Sequence, residues 1–286
     1  WGATQFSSAI TQAFWVPHHA LPCWIGILAF LRWHAGRWPL AAFLAVLPLL
    51  ALWSPFALMG LMPFAALAGL ASLRPWRINI DTIVLPSLSL LISMPGLLYL
   101  AAAGDSVGIL PYFIETERFY LFQAIEVLPF LLPLLFTETA RRTPWLLGVS
   151  AVWLLAVPFI KIGPSADFAM RASMPALAVL AYLVAAYLAR MQRPTWPGLA
   201  LIAALLIGSV TGLTEIVRAF RHPPASPMLC SLYHAYDQSF GQQSKTTYLA
   251  PLDRMPALIS PKEPVTMVKD DAGRCWTGDW YRPTGT

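Results

Sequence analysis

Lys161, Asp167 and Arg171 fall within eleven residues of one another in PFIKIGPSADFAMRASMP, Pro158–Pro175, between two long apolar runs. Charged side chains beside membrane-length apolar runs are costly to keep, so such a cluster at a helix mouth marks a candidate site. A guanidinium near a helix N-terminus, with an ammonium across the connection, suits a phosphate. Asp167 would orient Arg171 or a metal-bound phosphate. The same residues also read as a snorkelling loop with an Asp–Arg pair one turn apart. Gly163–Pro164 breaks the run before the cluster, and Ala166–Asp167 offers an N-terminal cap for the run after it.

Three further groups carry chemistry. His18 and His19 precede the first apolar run in FWVPHHAL. An imidazole there can donate to a phosphate oxygen or relay a proton; two interfacial rings beside Trp15 are the plainer alternative. Asp105, Glu115, Glu117 and Arg118 make an acidic loop. Its carboxylates are either solvated surface or suited to a divalent cation or to a sugar hydroxyl proton. Glu126 lies deeper in an apolar segment and needs a partner or water. Glu215 and Arg218, three apart, read first as an intrahelical ion pair, with Arg218 the alternative third cation of a phosphate site.

The elements that must hold these groups follow from composition. The chain has 286 residues, 57% of them apolar and 12% charged, with net charge +5. Soluble domains carry roughly a quarter charged residues, about twice this share. The expected fold is an all-α membrane protein of about eight transmembrane helices, several short or kinked by proline. The segments are Leu21–Leu31, Leu40–Trp53, Pro55–Leu73, Thr82–Ala103, Phe119–Phe136, Trp145–Ile160, Phe168–Ala189 and Trp196–Ala219. Residues 1–20 form a loop end or interfacial helix, 21–219 the membrane domain, and 220–286 a small irregular tail.

Arginine sets the expected orientation. Alternate connections carry Arg32, Arg37, Arg74, Arg77, Arg141, Arg142, Arg190 and Arg193, against Arg118, Lys161 and Arg171 on the other side. The eight-to-three bias makes the first set cytoplasmic, so both termini and the charged cluster lie outside. In that compartment Cys230 and Cys275 either form a disulfide closing a loop of about 45 residues, worth roughly 4 kcal/mol, or remain two thiols. Cys23 reads as a small buried hydrophobe. The tail is expected to have short strands near Pro264–Lys269 and Arg274–Tyr281. Many of the 26 prolines lie inside apolar segments, which predicts broken helices packed on one another around an outward-facing hollow.

Several function classes find no support. No basic run of five or more residues occurs, so no nucleic-acid partner is expected. The three Cys and five His lack metal-ligand spacing, so no metal site is expected. There is no Gly-rich phosphate loop, no GxSxG and no internal repeat.

FWVPHHAL, WSPFALMGLMPFA and DFAMRASMPAL together resemble bacterial polytopic glycosyltransferases of the GT-C type, across about two thirds of the chain. The resemblance implies a bacterial inner-membrane enzyme that takes sugar from a polyprenyl-phosphate carrier to a lipid or cell-envelope acceptor at the outer face. It implies a phosphate-holding role for Lys161 and Arg171, with Asp167 and His18 or His19 nearby. The family's acidic base sits in a first external loop, which here would precede Trp1. The chain is therefore expected to be the C-terminal portion of a longer polypeptide. Expected partners are membrane lipids and the polyprenyl-linked sugar, with a divalent cation as an optional cofactor. A transporter or lipid flippase, or a non-catalytic subunit of a membrane complex, is the alternative.

Overall fold

Most helices begin where a Ser or Thr side chain meets an orphan backbone N–H, or where proline takes the first turn. Ser8, Ser54, Thr137 and Thr195 accept from Thr11 N, Ala57 N, Ala140 N and Gly198 N respectively. Pro17, Pro55, Pro144 and Pro197 stand at the first or second helical position, where a missing N–H is harmless and the fixed φ is already helical. The computed structural model describes residues 6–73, 79–104, 109–111, 116–162, 167–222, 230–240, 249–262 and 275.

The chain runs through α1 (Ala9–Trp15), α2 (Pro17–His34), α3 (Leu40–Trp53), α4 (Pro55–Ser72) and α5 (Asp81–Gly104). A strand β1 (Ile109–Pro111) leads to α6 (Thr116–Glu126), α7 (Leu128–Leu135), α8 (Glu138–Arg142) and α9 (Pro144–Ala156). One 3-10 turn follows, then β2 (Ile160–Ile162), α10 (Asp167–Ala172), α11 (Met174–Leu188), α12 (Trp196–Arg221) and α13 (Leu232–Phe240).

Among the described residues four helical stretches are long and apolar enough to cross a membrane: Pro55–Ser72, Asp81–Ala103, Asp167–Leu188 and Trp196–Arg221. A fifth exists if α6 and α7, bent by 63° at their junction, count as one span. The apolar helices at Leu40–Trp53 and Pro144–Phe159 are shorter. Apolar surface left exposed on α5 and α12 (Leu91, Ile92, Leu206 and Ile207 among it) matches helices facing an apolar medium.

The core lies between α2, α3, α4, α9 and α11. Phe30 meets Phe43 and Phe64 edge-on at ring separations of 5.7 and 5.3 Å, a geometry that adds attraction to simple burial. Leu147, Leu154, Val179, Leu180 and Leu183 continue the same cluster. Internal prolines such as Pro48 and Pro63 sit within these helices. In the turn ahead of Pro48, Ser89 Oγ donates to the Ala45 carbonyl and ties α5 to α3.

Three expectations need correction. The sixth segment is not helical to Ile160: α9 stops at Ala156 and the chain turns into β2, which pairs antiparallel with β1. The fold is thus not purely helical, and Lys161 lies on a strand in register with Leu110. The seventh segment is present as the span-length stretch Asp167–Leu188, but with a joint at Ser173 that sets α10 off from α11, because Pro175 lacks the N–H that would bond the Arg171 carbonyl. The tail, expected to be irregular, contains α13. The strands expected near 264–269 and 274–281 lie, Cys275 apart, outside the described residues, as do Asp105 and Glu115.

Candidate functional site

The first turn of α2, the α3–α4 junction and α10 meet at one end of the bundle, the end to which β2 also delivers the chain. Ser54 caps α4 and brings its hydroxyl oxygen 2.5 Å from His19 Nδ1. The His19 ring stacks 6.3 Å from Phe56. Phe56 meets Phe168 at 5.6 Å and lies 5.7 Å below the Arg171 guanidinium carbon. His18 and His19 rings are 4.1 Å apart. The loop cluster and the histidines, 150 residues apart in sequence, therefore form one group around Phe56.

Arg171 is the charged centre of this group. Its Nη2 is 3.0 Å from Asp167 Oδ2 across one helical turn, with only 13% of the arginine side chain exposed. Its Nε is buried with no hydrogen-bond partner among the described residues. Buried donors are rarely left unmade, because each costs about 1–3 kcal/mol. The guanidinium thus keeps unused donor capacity beside the carboxylate that holds it.

The backbone beneath Arg171 is anchored with equal care. Pro175 frees the Arg171 carbonyl, and Cys23 Sγ lies 3.9 Å from that oxygen. The next carbonyl, of Ala172, accepts Trp153 Nε1 from α9 at 2.8 Å. Gly60 of α4 approaches so closely that a Cβ there would stand 2.3 Å from the same Ala172 oxygen.

The histidines stand in the first turn of α2, ahead of its apolar run. Burial, then the positive Arg171, then His18 push the His19 pKa down to about 3. Burial first and Arg171 second also lower that of His18. Both shifts favour the neutral ring over the imidazolium. The arrangement provides hydrogen bonding from neutral rings beside one fixed cation.

Of the residues expected from sequence, Arg171, Asp167, His18 and His19 are gathered here. Lys161 sits on β2, which packs against α10. Arg218 has other partners: Glu215 at 2.7 Å and the Trp15 ring, 4.1 Å from its guanidinium carbon, while Trp15 Nε1 donates to Glu215 at 3.1 Å. This trio fastens α1 to α12, next to the point where Ile10 fills the notch left by Gly212. The intrahelical pair expected for Glu215 and Arg218 is present. Glu117 is exposed in the first turn of α6. Among the described residues no three His, Cys, Asp or Glu side chains group as a metal site.

Sequence reasoning missed Ser54, Phe56 and Trp153. Ser54–Pro55 carried a signal, since Ser followed by Pro marks a helix start. Trp153 carried none, because its indole meets Ala172 only through tertiary packing. No protein family, curated protein or solved structure matches the chain.

Proposed function

We propose that this chain is the membrane portion of a transferase that takes sugar from a polyprenyl-phosphate carrier to a lipid or cell-envelope acceptor. The reaction runs at the extracytoplasmic face of a bacterial inner membrane, with about eight crossing segments counting the short ones. Arg171, positioned by Asp167, neutralises the leaving phosphate as charge develops on it, and Lys161 adds a second positive charge from β2. The observation that carries this reading is the Arg171 guanidinium held over Phe56 with its Nε unspent.

Two independent features support the orientation. The arginines at 32, 37, 141, 142, 190 and 193 follow the other ends of the helices, as cytoplasmic connections do. The tail carries a Cys230–Cys275 disulfide and meets the C-terminal half of α5, where Tyr99 Oη accepts Ala250 N at 3.2 Å. Disulfides persist in oxidising compartments, and α5 ends on the same side as α10 begins.

The test uses the full-length protein in lipid nanodiscs with labelled polyprenyl-phosphate sugar and native membranes as acceptor. Arg171→Lys and Arg171→Ala are expected to lower transfer at least tenfold, and Lys161→Ala severalfold. Unchanged turnover in the Arg171 variants refutes the reading. The 63° break beside Glu126 favours a second one, since broken helices near the midplane serve alternating access. Counterflow in proteoliposomes that Glu126→Gln abolishes would select a transporter instead.

A further inference from the structure

A hydroxyl has one proton and two lone-pair sites, and this fixes the proton of a neighbouring ring. Ser54 Oγ already accepts the Ala57 N–H at 3.1 Å, and its remaining contact is His19 Nδ1. Ser54 has no exposed surface. Were Nδ1 protonated, it too would donate to Ser54 Oγ, and the Ser54 proton would be buried with no acceptor among the described residues. With Ser54 donating to Nδ1, both sides of that buried contact are satisfied and the imidazole proton sits on Nε2. Among the described residues no acceptor meets Nε2, and none meets Arg171 Nε. Both groups flank Phe56.

We propose that Ser54 is a positioning residue that fixes His19 as an Nε2–H donor, and that this donor and Arg171 Nε together receive an oxyanion of the phosphate class. The tautomer stands on hydrogen-bond geometry alone; the ligand half rests on the phosphate reading above. Neutral His19 adds a directed hydrogen bond without a second buried positive charge, which Arg171 nearby would oppose. The phosphate is either lipid-borne or free, and the chemistry of the two donors serves both.

Full-length protein with 15N-labelled histidine in nanodiscs tests this by NMR, with His19→Asn assigning the resonance. The wild type is expected to show one neutral tautomer, Nε2–H, retained in Ser54→Thr and lost to a mixture in Ser54→Ala. A protonated Nδ1 in the wild type, or a tautomer indifferent to Ser54→Ala, overturns the assignment of Ser54. Farnesyl phosphate and inorganic phosphate are then titrated separately. A shift of His19 Nε2 with farnesyl phosphate alone supports a lipid-borne ligand, and a shift with both supports the phosphate group itself. Binding that leaves Nε2 unmoved, or no shift with either, overturns the donor role. Loss of sugar transfer with the tautomer and phosphate shifts intact would remove the transferase reading only. Ser54→Ala is expected to weaken phosphate binding about fivefold, and Ser54→Thr to restore it.

Discussion

Gly60→Ala tests the joint that holds Arg171. The new methyl carbon would stand 2.3 Å from the Ala172 carbonyl oxygen and 3.0 Å from Pro175 Cδ, where ordinary contact begins near 3.4 Å. Helix α4 and the α10–α11 joint must then part by about 1 Å, because packed interiors leave no slack. Overpacking of this kind costs about 1–3 kcal/mol, and weakening the Trp153–Ala172 hydrogen bond adds roughly 1 kcal/mol. At about 2–4 °C per kcal/mol, melting should fall by about 4–16 °C. A built-in reporter exists: Cys23 is the one thiol outside the disulfide, is fully buried, and lies against the Arg171 carbonyl. A thiol-reactive fluorogenic dye therefore reads the opening of this joint on heating. Gly69 lies on the same helix with open space around it, so Gly69→Ala should leave melting unchanged or raise it slightly through helix propensity, worth up to about 1 kcal/mol. Equal melting of the Gly60→Ala and Gly69→Ala variants would refute the close-contact argument.

Other consequences are open to measurement. His19 has a folded pKa below its free value, so its proton favours the unfolded chain; its contribution is complete above pH 6.5 and is lost as pH falls toward 3. Melting by the Cys23 dye should thus decline between pH 6.5 and 5 with a slope of at most about 1.4 kcal/mol per pH unit, and His19→Asn should flatten that decline. His18 on the same helix also has its pKa lowered, by burial and then by Arg171, so His18→Asn is measured beside His19→Asn to separate the two rings. Replacing both Cys230 and Cys275 with Ser removes roughly 4 kcal/mol of loop constraint from the tail. Protease should then cut the tail at least tenfold faster while the Cys23 melt stays within a few degrees of wild type.

The bundle was legible because its signals are local. Leu40–Trp53 and the starts at Pro55 and Trp196 are read directly from apolar run length, and the structure places them there, on starts that Ser54 and Thr195 cap. Orphaned termini need partners wherever the chain goes, so cap chemistry survives folding. The charged cluster was legible for a similar reason: a charge beside apolar runs must be accommodated, and Asp167 with Arg171 at one-turn spacing supplies its own accommodation. What the sequence hid is long-range. That Phe56 is the shared surface of Arg171 and His19 depends on α4 crossing α10 near Gly60, which no periodicity announces. The β1–β2 ribbon was hidden as well, since three-residue strands fall below any pattern length and were absorbed into an apolar run. The pairing of Arg218 with Glu215 was legible from its spacing, but the Trp15 ring beside both was not, because it lies 200 residues from Glu215.

Proline at 175 explains why a charged residue can be held so firmly at this mouth. In an unbroken helix the Arg171 and Ala172 carbonyls would be spent on the following turn; with Pro175 they are free to be met by Cys23 and by the Trp153 indole, from two different helices. The break thus exchanges internal helix bonds for tertiary ones, and α10 becomes an element located by its neighbours. Pro175→Ala separates helix strength from site placement. It restores the N–H that can bond the Arg171 carbonyl and lets α10 run on into α11, so helicity and melting should hold or rise. The competing bond draws the Arg171 carbonyl back toward α11, away from Cys23, and a shift of about 1 Å in a positioned group can cost on the order of a hundredfold in turnover. Phosphate binding should therefore fall while the Cys23 melt does not. A variant that melts higher and binds farnesyl phosphate as the wild type does would mean that the break at Pro175 is incidental to the placement of Arg171.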